Sequence, residues 1–246
     1  MAMRTLSVLR RLLALAALCC GTAQAVPGYY VVTTYADPGL NTVDFRYWTV
    51  KFPGSPVAIW PEVGLGWNVN GRWYTELLLS YVGTWESATK VDTLNWQNDL
   101  LLTQGQYPFD LALHTQIVRP QNPAAGYMLE LGPALQTDVG RTQLNLNVFF
   151  GRGLGELASQ ATELQYQWQV RHRWTRWLHV GAQGFGEVGP WRHWLPHDAQ
   201  SHRAGPALFG SIPIGPGVVG WQASYLLGKT YGYRSDMFSM RLKYDF

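Results

Sequence analysis

Residues 238–246 alternate without a break. Phe238, Met240, Leu242, Tyr244 and Phe246 fall on one face, and Ser239, Arg241, Lys243 and Asp245 on the other. A period of two places successive side chains on opposite sides of an extended strand. A strand with one apolar and one charged face, ending on an aromatic residue, needs a different solvent on each side. Lipid outside and water or polar side chains inside a closed barrel supply them, because backbone in hydrocarbon must have every N–H and C=O paired and a barrel has no free edge.

The other hydrophobic signal lies at the amino terminus. Arg4, Arg10 and Arg11 precede or open an apolar run ending at Cys20, and Ala23-Gln24-Ala25 follows. These are the three parts of a secretory leader, so residues 1–25 are expected to be a signal peptide and residues 26–246 the mature domain. The run is shorter than the roughly 20 apolar residues a spanning helix requires, and no later stretch approaches that length. Both cysteines, Cys19 and Cys20, fall inside the leader. A lipoprotein reading would acylate one of them, but Ala17-Leu18 fits the small-residue pattern before an acylated cysteine poorly. The mature chain then has no thiol, which removes disulfides, zinc-cysteine sites and cysteine nucleophiles together. Of the 19 basic residues three belong to the leader, leaving 16 against 16 acidic. The formal +3 is a property of the leader, so nucleic acid is not an expected partner.

The remainder reads as one all-β domain of about twelve antiparallel strands, with ten to fourteen compatible with the pattern. They fall near 42–52, 57–69, 72–84, 89–103, 107–118, 126–137, 142–152, 160–174, 177–188, 203–213, 217–228 and 236–246. Connections at 70–71, 104–106, 138–141, 175–176 and 214–216 read as tight, Asn70-Gly71 being a strong hairpin dipeptide. Those at 53–56, 85–88, 119–125, 153–159, 189–202 and 229–235 read as longer or rich in Pro. In barrels of this kind short turns face the periplasm and longer loops face outward, which with an even strand count makes both termini periplasmic. Residues 29–35 would make an odd strand, so they are expected to be a periplasmic lead-in or a short edge.

Alternation also sorts the side chains. In 160–174, Leu164, Tyr166, Trp168, Val170, His172 and Trp174 oppose Glu163, Gln165, Gln167, Gln169, Arg171 and Arg173; in 142–152, Leu144, Leu146, Val148 and Phe150 oppose Gln143, Asn145 and Asn147. In 107–118, Phe109, Leu111, Leu113 and Ile117 oppose Asp110, His114 and Gln116. Such polar ladders cannot sit in a dry core. A soluble sandwich would share the period but bury the apolar face. Trp73, Tyr81, Trp96, Tyr127, Trp168, Trp174, Trp221 and Tyr244 all lie on apolar faces, many near strand ends, as interfacial girdles require.

The runs QGQYPFDLAL (104–113), LELGPALQTDVGRTQLNL (129–146) and SDMFSMRLKYDF (235–246) resemble the hairpins of small outer-membrane β-barrel proteins of Gram-negative bacteria, porins among them. The last resembles the carboxy-terminal signal by which such barrels are recognised for insertion, carried by Phe238, Met240, Leu242, Tyr244 and Phe246. The resemblance implies an outer-membrane location and, as partners, outer-membrane lipids, lipopolysaccharide and the barrel insertion machinery. It carries no active site.

Three functional readings follow. The first is a small porin or passive transporter for small polar solutes. Asp99 and Asp110 would line one wall, Arg171, Arg173, Arg241 and Lys243 another, with His114 and His179 in the same polar network, and opposed charges would set selectivity. Alternatively these groups pair and plug the lumen. The second is an outer-membrane hydrolase of lipid or peptide, for which His172 on the lipid face lacks an evident Ser or Asn partner. The third is a non-conducting barrel that displays loops. Residues 191–202 (WRHWLPHDAQSH) concentrate His193, His197, Asp198, Ser201 and His202. His193, His197, Asp198 and His202 could bind a transition metal, yet their spacing matches no metal signature, so neither metal nor cofactor is assigned. Trp191 and Trp194 would rest on headgroups or make residues 189–202 a cap over the mouth.

Overall fold

The computed structural model describes residues 29–34, 40–103, 105–155 and 161–246. The expected signal peptide, residues 1–25, lies outside them. Twelve strands follow in order: β1 (Asn41–Lys51), β2 (Ala58–Asn68), β3 (Trp73–Thr84), β4 (Ser87–Leu101), β5 (Asp110–Pro120), β6 (Tyr127–Val139), β7 (Thr142–Leu154), β8 (Thr162–His172), β9 (His179–Pro190), β10 (Ser201–Ile214), β11 (Gly217–Thr230) and β12 (Tyr233–Asp245). Each pairs antiparallel with its neighbours in sequence, and β1 pairs β12 from Thr42↔Asp245 to Lys51↔Asp236, closing the barrel. A strand of 11 residues rising about 3.3 Å each at about 40° of tilt spans about 28 Å along the axis, the thickness of a bilayer core.

Both Asn41 and Phe246 lie at one end of the barrel, their backbones exchanging hydrogen bonds of 2.8 and 3.0 Å. At this turn end Asn70 Oδ1 accepts from the N–H groups of Arg72 and Trp73, and Gly71 takes φ 74°, as its dipeptide predicts. Gly140-Arg141 and Gly215-Pro216 close two-residue hairpins there. At the opposite, loop end the pattern is less regular than the sequence suggests. Ser87 pairs Thr84, so Trp85-Glu86 is a two-residue turn, and Tyr231-Gly232 is another, with both φ values positive at 48° and 79°. A Tyr at positive φ has no local signature, which is why residues 229–235 read as a long loop. Conversely the β4–β5 connection at the turn end runs from Leu102 to Phe109 rather than being tight.

The outer surface is apolar along its height: Val63, Leu65, Leu77, Leu94, Leu113, Leu131, Leu146, Leu208 and Leu227 are all exposed. Trp67, Trp73, Tyr107, Phe109, Trp174, Trp177 and Phe246 ring the turn end, and Trp85, Tyr127, Trp191, Trp194, Tyr231 and Tyr233 the loop end. Two aromatic belts flanking an apolar band match a lipid exterior. Phe238, Met240, Leu242, Tyr244 and Phe246 face this exterior, with Tyr244 and Phe246 stacked at 5.4 Å.

Candidate functional site

The lumen holds a segment of the protein itself. Residues 29–34 are neither a lead-in outside the barrel nor an edge, as the sequence suggested, but run along its interior, where Tyr29, Tyr30, Val31, Val32 and Thr34 are all buried. Tyr29 sits toward the loop end and Thr34 toward the turn end, from which β1 begins. The two faces of this extended segment meet different walls. Tyr29 and Val31 pack on Trp48, Val50, Phe185, Leu226 and Met237, while Tyr30 and Val32 pack on Ala112, Ala134 and Phe149. An interior apolar enough to hold such clusters is invisible to a reading in which every inward side chain is polar.

Polar groups hold the segment's backbone and phenols. Asn147 Nδ2 donates to the Val32 carbonyl at 2.9 Å, and Gln167 Oε1 accepts from Val32 N–H at 3.1 Å and from Asn147 Nδ2 at 3.1 Å. Ser239 Oγ donates to the Tyr29 carbonyl. The Tyr30 hydroxyl donates to Gln97 Oε1 at 2.6 Å, and two guanidiniums approach its ring, Arg46 at 3.6 Å and Arg241 at 5.0 Å from the centroid. The Tyr29 hydroxyl accepts from Arg203 at 2.8 Å, with that guanidinium 4.4 Å from the ring and Phe185 edge-on at 5.5 Å.

Around the segment the inward charges pair locally. Arg46 bonds Asp44 at 2.7 Å and Glu76 at 2.5 Å, with Glu62 at 3.9 Å, and Arg241 bonds Asp44 at 2.6 Å. Gly64 and Gly66 in β2 make room for this group. A Cβ at Gly64 would stand 2.7 Å from Leu78 and 3.0 Å from Glu76 Oε1, and one at Gly66 2.2 Å from the Tyr74 hydroxyl. On β10, Arg203 pairs Glu187 of β9 and bonds Thr230 of β11 at 3.0 Å. Asp99 bonds His114 Nδ1 at 2.6 Å and Gln97 at 2.7 Å, and His114 Nε2 lies 3.5 Å from Glu130. Tyr30, Gln97, Asp99 and His114 thus form one hydrogen-bonded chain across β4 and β5.

The residues expected to line the lumen separate into two groups. Gln143, Asn145, Asn147, Gln165, Gln167, Gln169, His114 and Asp99 are buried inside, and amides link Gln143 and Asn145 to Gln136 at 3.2 and 2.8 Å, and Gln169 through Gln183 to Ser224 at 3.1 and 2.7 Å. Arg173 instead pairs Asp138 at the turn-end rim, both more than a third exposed, while Arg171 bonds His179 at 2.8 Å and Lys243 bonds Asp245 at 2.9 Å. Asp110 and Glu163 are half-buried near opposite ends. Of the charges expected to face one another on opposed walls, Asp99, Arg173, Arg241 and Lys243 are met by neighbours in the sheet, His114, Asp138, Asp44 and Asp245, while Arg171 meets only the His179 ring. Asp44, Arg46, Glu62, Glu76, Glu187 and Arg203 add further inward charge that the sequence does not single out, although all share the inward parity of their strands.

Residues 191–200 do not cap the mouth. Trp191 stands edge-on to outward Phe150 at 6.1 Å, and Trp194, His197 and His202 border a groove of about 570 Å³ against Val148, Leu164 and Tyr166 on the outer wall. His202 bonds the Tyr166 hydroxyl at 2.8 Å and Gln200 at 2.7 Å and stacks on His197 at 5.7 Å. Among the described residues no three His, Cys, Asp or Glu side chains are grouped to hold a metal, so His193 and Asp198 do not join this pair. His172, on the outer face, has a hydroxyl partner that the sequence did not reveal, Thr142 Oγ1 at 2.9 Å.

Beside the segment, toward the turn end, remains a cavity of about 50 Å³ bordered by Thr33, Tyr74, Asp99, Arg72, Arg241 and Lys243. That is room for a few waters.

No protein-family description matches this chain, and no curated protein does. Solved structures do. An outer membrane channel from Pseudomonas putida F1 is 12% identical over 90% of this chain and 99% of its own, with TM-score 0.59. The NanC porin is 9% identical over 81% and 98%, at 0.56. The translocator domain of the autotransporter NalP from Neisseria meningitidis is 12% identical over 100% and 96%, at 0.51. At these identities the likeness is one of fold, and the fold is the closed twelve-stranded antiparallel barrel of porin-like outer-membrane proteins.

Proposed function

We propose that this protein is a channel of the bacterial outer membrane for small polar solutes, held closed in this structure by residues 29–34, with both termini on the periplasmic side. The observation that carries the reading is the amide wall. Gln136, Gln143, Asn145, Asn147, Gln167, Gln169 and Gln183 face an interior that a single short segment fills. A barrel built only as a scaffold could fill that interior with apolar side chains at lower desolvation cost. The apolar exterior and its aromatic belts support the location, lipids and lipopolysaccharide being the contacts that such an exterior makes.

Deleting residues 29–34 tests it in planar bilayers. The expected result is discrete conductance steps in the deletion variant against a silent or rarely opening full-length protein. A deletion variant that folds, judged by β-sheet circular dichroism and an unfolding-dependent gel shift, yet shows no discrete steps would sink the channel reading.

A further inference from the structure

Residues 29–34 are bound as a guest peptide would be. Both faces of the extended segment are packed, by one apolar cluster around Phe185 and another around Phe149. Its backbone is read at Val32 by a donor and an acceptor, Asn147 Nδ2 and Gln167 Oε1, an arrangement indifferent to the side chain at that position. Two successive rings are each met by a guanidinium face and a hydrogen-bonding group, Arg203 at Tyr29, and Arg46 with Gln97 at Tyr30. Along the same wall Gln167 Nε2, Asn147 Oδ1 and Gln165 Oε1, on side chains at most 4% exposed, have no hydrogen-bond partner among the described residues. The wall therefore offers more amide donors and acceptors than this segment uses.

From this we infer that the segment occupies the solute's own place, and that the solutes of this lumen are short extended peptides carrying aromatic side chains. The inference rests on the channel reading for its transport role, but the binding site it describes can be measured without conduction. An extended peptide supplies N–H and C=O groups at the spacing of the Asn147 and Gln167 amides, and alternate side chains to two opposite walls. A saccharide or a simple aromatic acid would meet the ring slots or the amides, not both at this spacing. The tethered segment competes at the millimolar effective concentration of a short linker, so a free peptide enters when it matches both the ring and the backbone contacts.

The test uses the deletion variant folded in detergent and a fluorescent hexapeptide of sequence YYVVTT, with binding read by anisotropy. Saturable binding is expected. It should weaken about tenfold when the amide at the position of Val32 is replaced by an ester, which removes the N–H that Gln167 accepts, and about tenfold again in the Asn147→Ala background, which removes the donor to the Val32 carbonyl. A second aromatic hexapeptide of different sequence should compete, whereas an aromatic carboxylate without a peptide backbone should not. Absence of saturable binding, equal affinity of the ester, or equal competition by the carboxylate overturns the inference. If the deletion variant does not fold, the full-length Tyr29→Ser/Tyr30→Ser protein, whose segment lacks both ring anchors, takes its place in the same assay with the same outcomes. Conductance without peptide binding leaves the channel reading standing and removes the inference, while peptide binding without conductance does the reverse.

Discussion

Replacing Arg46 is the sharpest probe of how the interior is held. Its guanidinium is 2% exposed and touches Asp44 at 2.7 Å and Glu76 at 2.5 Å, with Glu62 at 3.9 Å. Together with Arg241 these groups carry three formal negative and two positive charges, so Arg46→Met takes the cluster from −1 to −2. Stranding buried carboxylates in this way costs about 3–5 kcal/mol. The stacked Tyr30 ring, 3.6 Å from the guanidinium, loses a further ~0.5–2 kcal/mol. At an m-value of about 2 kcal/mol/M, the urea midpoint of the folded barrel in lipid vesicles should fall by about 2 M. Adding Glu76→Gln restores the formal charge of the cluster, and the double variant should recover about half of the loss, a coupling within the ~0.5–3 kcal/mol seen for directly contacting residues. A single-variant shift below about 0.5 M, or a double variant no better than the single, would refute the view that local pairing rather than solvent neutralises this cluster.

Other sites separate the interior from the rims. Gly64→Val drives side-chain atoms into Leu78 and Glu76, so it should destabilise by ~1–3 kcal/mol, against little change for Val63→Ala on the exposed face, compared by urea titration. Asp138→Asn breaks an ion pair more than a third exposed, and the same titration should register less than about 1 kcal/mol. Phe246→Ala removes an exposed ring stacked on Tyr244, so the urea midpoint should stay within the ~0.5 kcal/mol of a surface change. If the carboxy-terminal residues are read by the insertion machinery, the same variant should accumulate unassembled in cells, and unchanged assembly would remove that partner.

What the sequence revealed and what it hid divide along a physical line. Lipid selects side chains one at a time, so the outward rows in β7 and β8, Leu144 to Phe150 and Leu164 to Val170, are legible from local alternation alone. The amide rows opposite them are legible for the same reason. Charge pairing inside is not local. Arg46 meets Glu76 thirty positions away, and Asp44 meets Arg241 at a separation of 197, through a register that exists only once β1 closes on β12. The parity of Asp44, Arg46, Glu62 and Glu76 was available in the sequence; their mutual neutralisation was not. Residues 29–34 carried a signal that was read for the wrong context. Tyr-Tyr-Val-Val is an apolar run without alternation, the mark of a strand buried on both faces, and in a barrel the one place with two protein faces is the lumen.

The strand count makes that burial geometrically specific. Twelve strands spaced about 4.8 Å and tilted about 40° close into a cylinder whose backbone radius is about 12 Å, placing opposite walls about 24 Å apart. A guest strand packed on both faces at the usual sheet spacing of about 10 Å needs about 20 Å. The fit explains how Tyr29 with Val31 and Tyr30 with Val32 can each find a wall. Sixteen strands would separate the walls by about 32 Å, and the same segment could then touch only one of them. Withdrawal of this segment does not widen a narrow path gradually. It frees both clusters and the Val32 amide site together, so conductance should pass between shut and open in single steps, and a graded series of sublevels on progressive truncation from residue 29 would contradict the two-wall packing on which the closure depends.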